Sequence, residues 1–168
     1  MDNYYEKSCN QVKDDKGFIN FDLPTSFYRD QFCNDLTSLI EKKQIEIPLY
    51  DFITERQTGS VVVNPAPVII VEGLFIYHYR EIQSHFDYKV MVQLDLETSF
   101  ARRLKRDIAE RGYSEEETRH RYFGHVEPSY QNFIAPYLSE MDLLVDNQVS
   151  LDGGISIIRK KIDSFLSK

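Results

Sequence analysis

Tryptophan is absent from the 168 residues, and cysteine occurs only twice, at Cys9 and Cys33. Two cysteines are too few for a disulfide framework, and they have no metal-ligand spacing. No apolar run approaches the ~18 residues of a membrane span and no signal peptide is present, so the sequence predicts a cytoplasmic chain with no membrane partner. Positive charge is short as well: 20 Lys and Arg stand against 27 Asp and Glu, a net charge of −7. Nucleic acid and anionic membranes select basic surfaces, so neither is expected as a partner, although an acidic average can hide a local cationic site. Catalytic signatures are missing too. No GxSxG elbow is present for serine hydrolysis and no HExxH for zinc. None of the seven glycines precedes a lysine, so no GxxxxGK[ST] phosphate-cradling loop occurs in the chain. The four histidines, His78, His85, His120 and His125, form no recognisable ligand pair and are expected as surface or satisfied core groups.

What is present fits one soluble globular domain over residues 1–168, with 42% hydrophobic and 28% charged residues. Eleven Tyr and eleven Phe point to an aromatic-rich interior or a site that stacks planar groups. The run Val68-Ile69-Ile70-Val71 has no alternation and predicts a strand buried on both faces, as in a helix-covered parallel sheet. It delivers Glu72 and Gly73 to the carboxyl end of that strand, where open parallel sheets bind ligands.

The rest of the chain alternates strand and helix signals. Pro24-Thr25-Ser26 announces a helix carrying Phe27, Phe32, Leu36, Leu39 and Ile40. Residues 45–64 predict a β-hairpin turned at Thr58-Gly59-Ser60, with Pro48 and Pro65 suited to edges. Leu74–Ile82 predicts a short helix with Phe75, Tyr79 and Ile82 inward, and Tyr88–Leu94 a strand. Glu97–Arg111 predicts a helix stopped by Gly112, and Ser114 to Glu117 forms a capping box for another, which Pro128 bends or restarts. Met141–Val145 predicts a strand, Asp152-Gly153-Gly154 a turn, and Ile155 to Leu166 an amphipathic helix. The expected fold is therefore α/β and doubly wound.

Two groups of residues carry candidate chemistry. Arg102, Arg103, Lys105, Arg106, Arg111, Arg119 and Arg121 place seven of the twenty basic residues within twenty positions. Arg102 or Arg103 shares a helix face with Arg106, and such guanidinium forks suit a polyphosphate. The competing reading is a solvated face laced to Asp107, Glu110 and Glu115 to Glu117. Acids also stand at element ends: Asp2, Asp22, Asp51, Asp95 and Asp142. A phosphoryl acceptor needs a carboxylate as general base and a sugar diol is commonly held by another, while loop aspartates are also common turn formers.

Taken in order, Asp2-Asn3-Tyr4-Tyr5, Asn20 to Pro24, Pro48 to Phe52, Val68 to Gly73, Arg102 to Gly112, Pro128 to Pro136 and Met141-Asp142 resemble the uridine kinase (uridine–cytidine kinase) group of the phosphoribulokinase and uridine kinase family. The resemblance runs from Asp2 to about Asp146. It implies a P-loop-kinase-like parallel sheet with helices on both faces, a small hairpin near 45–64 and a helical lid near 102–127. It implies transfer of the ATP γ-phosphate to a nucleoside 5′-hydroxyl, ATP and Mg²⁺ as cofactors, a place in pyrimidine salvage, and a homo-oligomer. By the same resemblance Asp2 matches the general base and Tyr5 a substrate contact, and Asp22 grips the ribose hydroxyls. Phe21, Tyr50 and Phe52 match the aromatic wall around the base. Glu72 matches the acid holding the Mg²⁺ hydration shell, Arg103 a nucleoside-side arginine, and Arg106 and Arg111 the lid arginines on the phosphates.

Two departures qualify that expectation. The family's Gly-rich loop belongs to a strand–loop–helix–strand block upstream of the position matched by Met1. Without that block, Val68 to Val71 are expected to be exposed and the chain alone is not expected to be a competent kinase. Three explanations compete: a misassigned or truncated start, which is favoured; a non-catalytic relative that keeps nucleoside contacts; or a second polypeptide completing the sheet. The other departure is in the base pocket. Glu55 stands where the family carries a His, Tyr113 where it carries an Arg, and Arg121 where it carries a Gln, so the nucleoside, or another small alcohol, is left open.

Overall fold

A computed structural model describes residues 1–167. The elements in chain order are α1 (Arg29–Ile40), β1 (Ile45–Asp51), β2 (Arg56–Val63), α2 (Arg80–Gln83), β3 (Val90–Gln93), α3 (Leu96–Arg111), α4 (Glu115–Arg121), α5 (Glu127–Phe133), β4 (Leu143–Asp146) and α6 (Asp152–Leu166). A π-helical turn, Tyr122–Val126, links α4 to α5. The architecture is α/β, as expected. It divides into two compact units: Met1–Phe86 with Arg119–Tyr137, and Asp87–Thr118 with the segment from Leu138 onward.

The first unit is built on aromatic side chains. Phe32, Leu36 and Leu39 recur at helical spacing and form the buried stripe of α1. The Tyr4 ring meets Phe32 edge-on at 5.3 Å, and its hydroxyl donates to Asp35 Oδ2 at 3.0 Å. Phe75, Tyr79 and Ile82 are buried, as the sequence predicted, but the helix there is shorter than expected. Turns occupy residues 74–78, and α2 starts only at Arg80 because Tyr79 is extended (φ −86°, ψ 96°). Phe75 is fully buried and touches both Phe27 and Phe133. Its burial is worth roughly 1.5–3 kcal/mol.

The hairpin of β1 and β2 forms, but its turn is not at Thr58-Gly59-Ser60. Asp51 Oδ1 accepts from the backbone N–H groups of Ile53 (2.8 Å) and Thr54 (3.3 Å), so an Asx-type turn forms at residues 52–55. Those same bonds hold the Asp51 carboxyl below its ordinary range. Gly59 pairs with Leu49 and Gln57 with Tyr50, which leaves Thr58 as the extra residue of a bulge inside β2.

The largest correction concerns residues 68–71. They form no strand, and no strand among the described residues runs beside them. An isolated extended segment has no ladder to satisfy its backbone, whatever its propensity. Ile70 is 77% exposed, while Val68, Ile69 and Val71 are half-buried, so the run is uncovered only at its centre.

In the second unit β3 and β4 pair in parallel, Val90 opposite Leu143 and Gln93 opposite Asp146. Asp142 locks the start of the pair: its Oδ2 accepts from Lys89 N at 2.7 Å, and its own N–H donates to Lys89 O at 3.0 Å. Helix α3 is capped by Asp95, which accepts from Thr98 N at 2.6 Å, and it ends on Gly112 in the left-handed region at φ 70°. Ser114 Oγ accepts from Glu117 N at 3.1 Å, the capping box the sequence predicted. Asp152-Gly153-Gly154 is not a separate turn; it forms the first turn of α6.

His78 makes the first unit sensitive to pH. Its ring packs edge-on against Phe133 at 5.2 Å, and Nδ1 lies 3.3 Å from the Tyr137 hydroxyl. Burial first, then Arg80 and Arg29, lowers its pKa. Its stabilising contribution is therefore full above the unfolded-state value of ~6.5 and is lost as pH falls through the lower folded value. Urea denaturation from pH 7.5 to 5 is expected to show the wild-type midpoint falling more steeply than that of His78→Phe. Equal slopes would contradict this assignment.

Candidate active site

The aromatic residues singled out from sequence converge. Tyr5 is the hub, with ring centroids 5.8 Å from Phe21, 5.3 Å from Tyr50 and 5.9 Å from Phe52. Phe27, not singled out as a site residue, lies closest at 4.1 Å. Three separate segments supply the cluster, and backbone pairing fixes their approach. Tyr5 and Phe27 form an antiparallel bridge, and Tyr50 N donates to Asn3 Oδ1 at 3.2 Å. Phe52 leaves 43% of its surface exposed in the hairpin turn, so one edge of the cluster faces solvent. Asp22 follows Phe21 directly, and its backbone N–H is turned by Asn20 Oδ1 at 2.9 Å.

Glu55, the residue that departs from the family pattern, is the last residue of the hairpin turn and takes φ 53°. Its Oε2 accepts from Ser8 Oγ at 3.0 Å, which ties the turn to the segment following Tyr5. The other departure in this unit, Arg121, donates from Nη1 to Ile19 O at 3.0 Å and lies over the Phe18 ring at 5.1 Å.

The two candidate catalytic acids share one locality. The Met1 ammonium donates to Glu72 O at 2.7 Å and lies 3.5 Å from Glu72 Oε1, and Asp2 is the next residue. Gly73 permits this approach, because a Cβ there would collide with Met1 Cβ. The Glu72 side chain remains 77% exposed. An exposed carboxylate is the hard-oxygen donor that Mg²⁺ and its waters accept.

In the second unit, three of the arginines gather on one acid. Asp107 is fully buried. Its Oδ2 accepts from Arg103 Nε at 3.1 Å, and its Oδ1 accepts from Arg106 Nη2 at 3.0 Å, with Arg111 Nη1 at 3.6 Å. The ion-pair reading of this helix therefore holds for Asp107. Three guanidinium groups thus converge on one carboxylate, and such forks are of the kind that suits an anion. Arg102 turns away and donates to Gln148 O at 3.1 Å. Arginines and acid thus fit phosphate and Mg²⁺, whereas the backbone cradle of a Gly-rich loop has no counterpart in the 168 residues.

One cluster was not foreseen. His120 Nε2 and His125 Nε2 lie 2.6 and 2.9 Å from Asp14 Oδ2. Burial works to raise the Asp14 pKa, but hydrogen bonds from His120, Phe18 N, His125 and Lys16 N outweigh it and hold the carboxyl well below its usual range. A spacing of five residues is not a helical ligand pattern, and Asp14 stands in a polar turn over a hundred positions away. Only the unusual π turn brings them together.

Residues 1–152 match the family model described as phosphoribulokinase / uridine kinase family. A uridine kinase of Lactobacillus helveticus is 33% identical over all of this chain and 80% of its own length. One from Borrelia garinii is 37% identical over 86% of this chain and 70% of its own length. Uridine-cytidine kinase 2-B of Danio rerio is 30% identical over 99% of this chain and 65% of its own length. The chain belongs to the phosphoribulokinase and uridine kinase family, among its nucleoside kinases.

Proposed function

We propose that this chain carries the acceptor side and lid of an ATP-dependent nucleoside kinase, transferring the γ-phosphate to a nucleoside 5′-hydroxyl. The observation that carries the reading is the Tyr5, Phe21, Tyr50 and Phe52 cluster, with Asp22 next to Phe21 and Asp2 three residues before Tyr5. Aromatic faces stack a planar base, and a carboxylate beside them accepts both hydroxyls of a ribose diol. Asp2 takes the proton of the attacking hydroxyl, and Glu72 would hold Mg²⁺, which would supply charge neutralisation on the phosphates. By the family resemblance Arg103 is assigned to the nucleoside and Arg106 and Arg111 to the transferred group, within a lid spanning about 102–127. Asp107 pre-orients all three, so little side-chain freedom is lost when an anion binds. Glu55 stands where the family carries a His, an exchange that inverts charge and hydrogen-bond polarity, so the identity of the nucleoside, or of a related small alcohol, is left to the assay below.

A second reading is a non-catalytic nucleoside-binding protein. It is favoured by one observation, the lack of any GxxxxGK[ST] in the 168 residues. The two readings separate in a phosphoryl-transfer assay with ATP, Mg²⁺ and a panel of nucleosides and small sugars. The chain is assayed alone and preceded by a strand–GxxxxGK[ST]–helix–strand block. The kinase reading expects transfer by the version carrying the block. In that version Asp2→Asn is expected to lower turnover by about 10²–10⁴-fold with nucleoside affinity nearly unchanged. Unchanged turnover would remove Asp2 from the role of base. Nucleoside binding without transfer in the unsubstituted protein would favour the second reading.

A further inference from the structure

The cluster of Asp14, His120 and His125 shares no side chain with the roles assigned above, although its two histidines lie in the last part of the proposed lid segment, and all three residues lie in the first compact unit. Asp14 opens a tight turn: its carbonyl accepts from Gly17 N and its N–H donates to Phe18 O, both at 2.9 Å. Its Oδ1 is occupied by the backbone N–H groups of Lys16 and Phe18, each at 2.9 Å. That leaves the carboxylate fixed in orientation, with Oδ2 directed at the two imidazoles. Hydrogen bonds of this kind orient a metal-ligating carboxylate.

The histidines are brought to one point by backbone geometry. In a regular α-helix, residues five apart point ~140° away from each other. The Tyr122–Val126 segment is instead a π turn, closed by Glu127 N donating to Tyr122 O, and returns His125 to the side of His120. Such turns frequently mark functional sites. The donor atoms of the three residues all lie within 4.8 Å of one another. For bonds of ~2.1 Å at tetrahedral angles, donors sit ~3.4 Å apart, so each imidazole would move from Oδ2 by less than ~1 Å.

We propose that Asp14, His120 and His125 form a binding site for one zinc-class divalent cation. Two imidazoles and one carboxylate suit Zn²⁺ and its first-row neighbours, whereas Mg²⁺ and Ca²⁺ take oxygen ligands. The cation takes the place of the Nε2 protons facing Oδ2: from an imidazolium that proton leaves to solvent, and in a neutral ring it moves to Nδ1, so that each ligand is a neutral imidazole with Nδ1–H. Three protein ligands leave a fourth position for water. His125 is 4% exposed and anchors the site, while His120 and Asp14 border an open cleft of about 260 Å³ that also meets Asp15, Lys16 and Gly124. Asp15 and Lys16 offset each other in charge. The bound ion joins the 14–18 turn to the π turn and thereby braces the strand-like segment through Ile19 that leads to Asp22.

The test uses the full 168-residue chain, stripped with EDTA and titrated with Zn²⁺ by calorimetry and with Co²⁺ by visible absorption. One saturable equivalent is expected, with Co²⁺ bands of four- or five-coordinate intensity and Zn²⁺ raising Tm. His120→Ala, at the more exposed ligand, is expected to lose about 100-fold in affinity or more and to abolish the Tm increase. Asp14→Asn is expected to do the same, and circular dichroism checks that both variants fold. Cys9→Ser is expected to retain the full equivalent. No saturable uptake, or uptake lost in Cys9→Ser and kept in His120→Ala, would overturn the proposal.

Discussion

Adjacent tyrosines at the start of the chain face opposite ways, and the first unit is organised around that alternation. Tyr4 turns inward onto Phe32 of α1, with its hydroxyl held by Asp35. Tyr5 turns the other way into the cluster of Phe21, Phe27, Tyr50 and Phe52. Tyr4 closes a 3-10 turn over Asp2–Tyr4, its N–H donating to Met1 O at 2.9 Å, and the backbone turns extended only at Tyr5 (φ −60°, ψ 135°), where the bridge to Phe27 holds it. Met1 at one end reaches Glu72, while Asn3 holds β1. One five-residue segment therefore ties the helix, the hairpin and the acidic corner to a common frame. Core and candidate site here are two faces of one strip of backbone.

Charge is organised differently in the second unit. The chain carries a net −7, yet three guanidiniums are collected around a single buried carboxylate. Asp107 offsets the mutual repulsion of Arg103, Arg106 and Arg111 and fixes their directions. Removing a buried charge partner of this kind typically costs about 3–5 kcal/mol, because the remaining charges lose their compensation. The exposed ion pairs elsewhere, such as Lys43 with Glu41, contribute far less. An acidic protein thus keeps a concentrated group of guanidiniums without a basic average composition.

Features with local causes were legible in the sequence. The Phe32, Leu36 and Leu39 stripe of α1, the Ser114 cap, the Gly112 stop and the β3–β4 strands follow from propensity, capping and periodicity, whereas Phe27, expected on the same helix, lies before it in the bridge to Tyr5. The family, and the grouping of Tyr5, Phe21, Tyr50 and Phe52, were legible through ordered motifs. Features that depend on partners were not. Val68 to Val71 have the composition of a buried strand but no neighbouring ladder, so propensity alone misled. The hairpin turn was drawn to Gly59, whereas the Asp51 side chain, eight residues earlier, closes it and leaves a bulge behind. The histidines escaped notice because their meeting point depends on a π turn and on an aspartate distant in sequence.

The account stands or falls on whether the Tyr5 cluster receives a nucleoside base. Aromatic ¹³C-resolved NMR of the chain, titrated with a panel of ribonucleosides and with free ribose as control, tests this directly. At least one nucleoside is expected to shift the Tyr5, Phe21, Tyr50 and Phe52 ring signals together, saturably, with loss of the effect in Asp22→Ala. Ring signals that stay unmoved by every nucleoside, or that shift equally in Asp22→Ala, would contradict it.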